Sequence, residues 1–115
     1  ILIVTEIGLA SAPAFPNIGT PFNQDGGIYI IEGANAKLAA GGTVAINRTI
    51  GGVSTLLGNP VDVTFDDRDN KNIIYIAEKA NKRILGFKLS DQGNVAPTLN
   101  TQVSTLPESV WVDAR

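Results

Sequence analysis

The chain repeats itself, and the repeat restricts it to folds in which similar units stack side by side. The segment from Val53, VSTLLGNPVDVTFDD, aligns with the segment from Val103, VSTLPESVWVDA: VSTL is shared, Pro60 falls on Pro107, and Asp66 falls on Asp113. The two prolines are 47 positions apart, a period at which each unit is one supersecondary motif that buries its apolar face on the next. Upstream, ILIVTE (1–6) matches IIYIAE (73–78), each an apolar run closed by a glutamate. GGIYIIEG (26–33) stands beside KRILGFKLS (82–90), and the polar run TVAINRT (43–49) beside TLNTQV (98–103).

β-Branched and aromatic residues concentrate in these runs, while Gly, Asn, Asp and Pro gather between them, which predicts strands joined by turns. With the strands of a unit labelled A to D, the sequence reads B (1–6), C (27–32), D (43–49), A (61–65), B (73–78), C (83–89), D (98–103) and A (109–113). Units of this kind at a period of about 40 to 50 residues predict an all-β protein of β-propeller blades, each of four antiparallel strands. About two blades are expected, in a permuted B-C-D/A-B-C-D/A order that leaves the ring incomplete. The expected division is a partial blade with long inserted loops over 1–52, a complete blade over 53–106, and the first strand of a next blade over 107–115.

Alternation places Leu85, Phe87 and Leu89 on one face of strand C, where they are expected to pack on a neighbouring sheet. ILIVTE and IIYIAE are apolar on both faces, as suits strands enclosed between two blades. The best 3.6-residue period, Ala34 to Ala40 between glycines, is short and is read as part of an insert between strands C and D rather than as a helix. Two blades leave edges and faces that need covering. Further blades of the same parent chain, or further copies, are expected to supply them; three two-blade copies make a six-bladed ring, within the usual ~4 to 8. The N-terminal B strand and the C-terminal A strand then share one composite blade.

The run LGNPVDVTFDDRDNKNIIYIAEKANKRILGF, Leu57 to Phe87, resembles the propeller repeat of the NHL and YVTN type. Pro60, Val63, Phe65, Asp66, Tyr75, Glu78, Asn81, Arg83 and Ile84 occupy the repeat's positions. The resemblance covers this blade and extends to Pro107–Asp113, whereas the N-terminal blade departs from it with the long insert GLASAPAFPNIGTPFNQDG (8–26) and a second insert, ANAKLAAGG. It implies a fold rather than an activity, because propellers host lactonases, lyases, lectins and interaction scaffolds alike.

Composition removes several chemistries. The chain has no histidine and no cysteine, which excludes a Ser-His-Asp triad, thiolate or imidazole zinc sites, disulfides and a cysteine nucleophile within it. A net charge of -2 offers no cationic field for nucleic acid or anionic lipid. No apolar run approaches the roughly 18 to 20 residues of a membrane span. The opening ILIVTEIG lacks a basic region and a small-residue cleavage site and reads as a strand, as expected of a processed or excised segment. The Gly, Asn, Thr and Ala-rich texture and the resemblance together place the protein outside the cytoplasm, secreted or periplasmic.

Four features are candidates for function. The acidic loop DDRDNKN offers oxygens from Asp67, Asp69 and Asn70 that could hold Ca²⁺, but it lacks the spacing of an EF-hand loop, and a solvated turn is the plainer reading. Without such a cation no cofactor is expected. Glu6 and Glu78 close equivalent strands; they are either ligand-binding or metal-binding carboxylates or structural partners, Glu78 of Arg83, with Lys79 paired to a neighbour. Phe15 and Phe22, in the proline-rich insert 8–26, either contact a ligand or fold back over the blade edge. Trp111 is expected in the core, and Asn47-Arg48-Thr49 is a glycosylation sequon. The leading expectation is a non-enzymatic module that binds a protein, a glycan or another small molecule. The alternatives are a sugar-lactonase-like hydrolase using a divalent cation on Glu6 or Glu78, and a structural surface or adhesion spacer.

Overall fold

The computed structural model describes residues 1–8 and 25–113; Phe15 and Phe22 lie outside the described residues. The chain is mostly β. Strands β1 (Leu2–Glu6), β2 (Gly27–Ile31) and β3 (Arg48–Gly51) form one antiparallel sheet, and β4 (Pro60–Asp66), β5 (Ile73–Glu78), β6 (Arg83–Lys88) and β7 (Leu99–Gln102) form a second. Each sheet is a meander in which every strand pairs with its sequence neighbour. One short helix, α1 (Ala34–Ala40), joins β2 to β3. No helix among the described residues is long and apolar enough to cross a membrane.

The two sheets share one apolar core. Ile28, Ile30 and Ile50 from the first and Ile74, Ile76, Leu85 and Phe87 from the second are fully buried in a single cluster with Leu57. Leu89 is partly buried against it, as the alternation in this strand requires. Residues paired across adjacent antiparallel strands point to the same face. The register therefore gives the second sheet one core-facing side built from Val63, Phe65, Ile74, Ile76, Leu85 and Phe87.

The sense of this stacking follows from the same registers. Glu6 pairs with Gly27 as Glu78 pairs with Arg83, so β1 and β2 are the counterparts of β5 and β6, position for position. Leu2, Val4 and Tyr29 then correspond to Ile74, Ile76 and Leu85. The latter three are buried between the sheets, while Val4 is 40% exposed and Tyr29 is half-buried on the opposite face of the first sheet. Equivalent strands thus turn opposite faces into the shared core. By this correspondence the sheets lie front to back and not front to front.

Four expectations are corrected. Ala34–Ala40 is helical. Seven residues are too few for an isolated helix, and neither end has a side-chain cap; tertiary ties hold it, with Ala34 buried and Lys37 Nζ donating to Asn47 Oδ1 (2.9 Å) and Ala45 O (3.5 Å). The helix and its Gly41-Gly42 exit displace the strand expected over 43–49 to Arg48–Gly51, where Ile50 meets Ile28. Segment 109–113 is extended toward β4 without joining a sheet: Ser109 Oγ and the Val110 amide donate to Asp62 Oδ2 at 3.0 and 2.9 Å. Trp111, expected in the core, is 76% exposed, because no sheet stands on its side of the segment among the described residues.

The sheets are also stitched at their outer strands. The Gly93 amide donates to Thr49 O (2.7 Å) and the Gly51 amide donates to Gly93 O (3.1 Å), forming a parallel bridge from the β6–β7 connection to β3. Gly93 has φ 78°, a conformation glycine adopts without steric cost. The outermost strand of the second sheet, β7, is short and fully exposed (Leu-Asn-Thr-Gln), the pattern that blunts a sheet edge.

Candidate functional site

A groove of about 430 Å³ opens where β2 ends, β3 begins and β6 ends, across from the turn that precedes β5. Its lining carries three cations, Arg48, Lys71 and Lys88, against one carboxylate, Glu32, with Asn70, Asn72 and Ser90 adding amide and hydroxyl groups. Arg48 is fixed in place: its Nη1 pairs with Glu32 Oε1 at 2.8 Å and its Nε donates to Leu89 O at 3.0 Å, tying one sheet to the other. Lys71 and Lys88 are exposed, with Lys71 Nζ 3.6 Å from Asp66 Oδ2. The groove can therefore hold a polar ligand whose negative charge lies near the lysines and whose hydroxyls meet the amides.

Of the candidate ligand residues Glu6, Glu78, Asp67, Asp69 and Asn70, only Asn70 lines this groove. Asp67, Asp69 and Asn70 form the turn between β4 and β5, a 3-10 turn at Arg68–Asn70 in which Asp69, Asn70 and Asn72 take φ of 51°, 58° and 49°. Asp and Asn tolerate this left-handed region because their short polar side chains bond locally, so the loop's composition is explained by chain reversal. Among the described residues no three His, Cys, Asp or Glu side chains converge on one point. The organising acid is instead Asp66, at the end of β4. It is buried and accepts from Arg68 Nε (2.7 Å), Arg68 Nη2 (3.1 Å) and the Arg68 amide (3.2 Å), with Lys71 Nζ at 3.6 Å.

The Arg68 guanidinium holds the Asp66 carboxyl down to about 2, against the opposing pull of burial. The folded value lies below the ordinary aspartate value near ~3.9, so the stabilisation from Asp66 is complete above that value and is lost as the pH falls through about 2. Urea unfolding midpoints between about pH 4 and about pH 2 are expected to decline with acidification, and Asp66→Asn is expected to remove that part of the slope. An unchanged slope in the variant means that Arg68 does not hold the carboxylate.

The two strand-end glutamates differ sharply. Glu78 is fully buried, and its carboxylate accepts from the amides of Asn59 (2.6 and 3.0 Å), Gly58 (3.2 Å) and Ala80 (3.1 Å). It is a clamp for the chain entering β4. The expected pairing with Arg83 is not made: Arg83 Nη1 donates to Asn100 Oδ1 at 2.7 Å on the adjacent β7, while Lys79 pairs with Glu108 at 2.6 Å. Glu6 is exposed and accepts from the Tyr29 hydroxyl. That bond raises the phenol above its ordinary value, so Tyr29 keeps its proton and is poorly suited to act as a base.

Compared with known protein families, with curated proteins and with solved structures, the chain matches none.

Proposed function

We propose that the chain is a β-propeller segment acting as a non-enzymatic binding module, and that the Arg48–Lys71–Lys88 groove takes a small polar ligand bearing negative charge, such as an acidic glycan. The observation that carries the blade reading is the stacking sense: equivalent strands bury opposite faces, which is how each blade rests on the next. The binding reading is supported by the division of labour among the acids. Glu78 and Asp66, the buried carboxylates of the second sheet, are committed to backbone amides and to Arg68, so they serve as structure. The convergent polar groups stand in the groove between the sheets, where a rigid scaffold presents loop residues to solvent.

The test is a glycan array carrying neutral and acidic sugars, read with the unsubstituted chain and with a Lys71→Ala/Lys88→Glu double variant. Retention of uronic or sialic acid glycans is expected, with a loss of about tenfold or more in affinity in the double variant. Silence across the array, equal binding of neutral sugars, or full binding by the double variant overturns the reading.

A further inference from the structure

Asn47-Arg48-Thr49 is the one Asn-X-Ser/Thr tripeptide in the chain, and the structure presents its two reactive side chains together. Asn47 and Thr49 are exposed while Arg48 and Ile50 turn inward, the alternation of extended backbone. Asn47 Oδ1 accepts from the Glu32 amide at 2.8 Å and from Lys37 Nζ at 2.9 Å, which fixes the carboxamide. Its Nδ2 meets no acceptor among the described residues. The tie to Lys37 accounts for an acceptor at this position but not for an amide, because an aspartate would serve a lysine better as a charged acceptor. What asparagine adds is the unused nitrogen.

We infer that Asn47 is an attachment site for an N-linked glycan, taken from an oligosaccharide carried on a lipid pyrophosphate. A bond forms between Nδ2 and the anomeric carbon of the first sugar as the bond from that carbon to the pyrophosphate oxygen breaks. The lipid pyrophosphate leaves with the electron pair, and one Nδ2 proton passes to a base of the transferase. Oδ1 is untouched, so both of its hydrogen bonds survive. The site also stays open in a stack of sheets. The Asn47 amide donates to Ile30 O (2.9 Å) as the Thr98 amide donates to Gly86 O (2.8 Å), so Thr98 is the counterpart of Asn47 in the second sheet. Thr98 and Asn100, the counterpart of Thr49, remain exposed although the first sheet stands on that face of the second. Ile46 (49% exposed) precedes Asn47 and Leu38 (56%) follows Lys37, and a bulky, hydrated glycan at Asn47 screens this apolar surface.

The inference rests on passage outside the cytoplasm, the location expected above, and not on the groove, so a failed glycan array leaves it standing. The full chain, with a secretory leader appended, is translated in the presence of endoplasmic-reticulum microsomes. The protease-protected chain is expected to be heavier, to return to the bare mass after treatment with a glycan-releasing amidase, and to lose the heavier species completely in Thr49→Ala and in Asn47→Asp. In protein from its natural source, the tryptic peptide 38–48 is expected to carry sugar on Asn47. The urea midpoint of the glycosylated chain is expected to match that of the same chain made without glycan. A protected chain that stays bare, a heavier species that persists in Thr49→Ala, a bare Asn47 in natural material, or a midpoint lowered by the glycan overturns the inference.

Discussion

Glu78→Ala is expected to lower the free energy of unfolding by about 3 kcal/mol or more in urea denaturation. Three backbone donors, the amides of Gly58, Asn59 and Ala80, converge on this one carboxylate, and each buried donor left without an acceptor costs roughly 1 to 3 kcal/mol. The substitution also removes a charge from a buried position, which is a gain. The loss outweighs it because the three donors belong to the backbone and stay where β4 and β5 hold them. Glu78→Gln separates the two effects: it keeps an acceptor oxygen without the charge and costs about 1 kcal/mol.

The pH dependence runs opposite to that of Asp66. Burial pushes the Glu78 carboxyl above its ordinary value, against the lowering pull of the amides of Asn59, Gly58, Ala80 and Asn81. The folded protein therefore binds this proton more tightly than the unfolded chain. Its contribution is complete below the ordinary glutamate value near ~4.3 and fades as the pH rises through the folded value. Glu78→Gln is expected to flatten that part of the stability profile; a profile unchanged by the substitution means that the carboxyl titrates as it does in the unfolded chain.

The second large effect is at Phe87. It is fully buried, opposite Ile74, in the cluster to which both sheets contribute. Phe87→Ala deletes the largest side chain of that cluster at a site that strand pairing prevents from collapsing, and about 3 to 5 kcal/mol is expected to be lost. For a domain of this size that is a large share of the total, so the variant is expected to be partly unfolded near room temperature. Thr101→Ala on the exposed β7 serves as the comparison and is expected to change stability by less than about 0.5 kcal/mol. Similar losses at the two positions mean that the shared cluster does not hold the sheets together.

Strand positions were legible in the sequence where an apolar or alternating run was bounded by turn residues. IIYIAE lies between Asn72 and Lys79 and forms β5 over the expected residues, and the alternation in RILGFKLS correctly picked the core face. Legibility failed where tertiary contacts outweighed local pattern. The helix at Ala34–Ala40 has no side-chain cap and is held by Lys37 reaching Asn47, a tie that no local propensity encodes. β3 is shifted to Arg48–Gly51, where Ile50 meets Ile28 across the sheet. Trp111 looked like a core residue because its neighbours alternate as a strand does, but a strand buries its side chains only when a sheet receives them.

The groove was not legible because its lining comes from four stretches brought together by the stacking, and no one stretch carries a signature. In the acidic turn, Asp69, Asn70 and Asn72 take positive φ, a backbone demand that Asp and Asn meet at low cost. Asp66, the carboxylate that orders Arg68, differs from its neighbours only in being buried.

The link from Gly93 to Thr49 and Gly51 governs an angle. An apolar core is nearly indifferent to direction and lets two sheets fan about a common axis, whereas a pair of hydrogen bonds at the rim permits little change in the opening between them. In a circular stack that opening sets the circumference: about 60° per step closes on six units and about 51° on seven. Under the proposed blade reading, a glycine on a surface loop, through two backbone contacts, sets how many sheets go round before the circle meets itself.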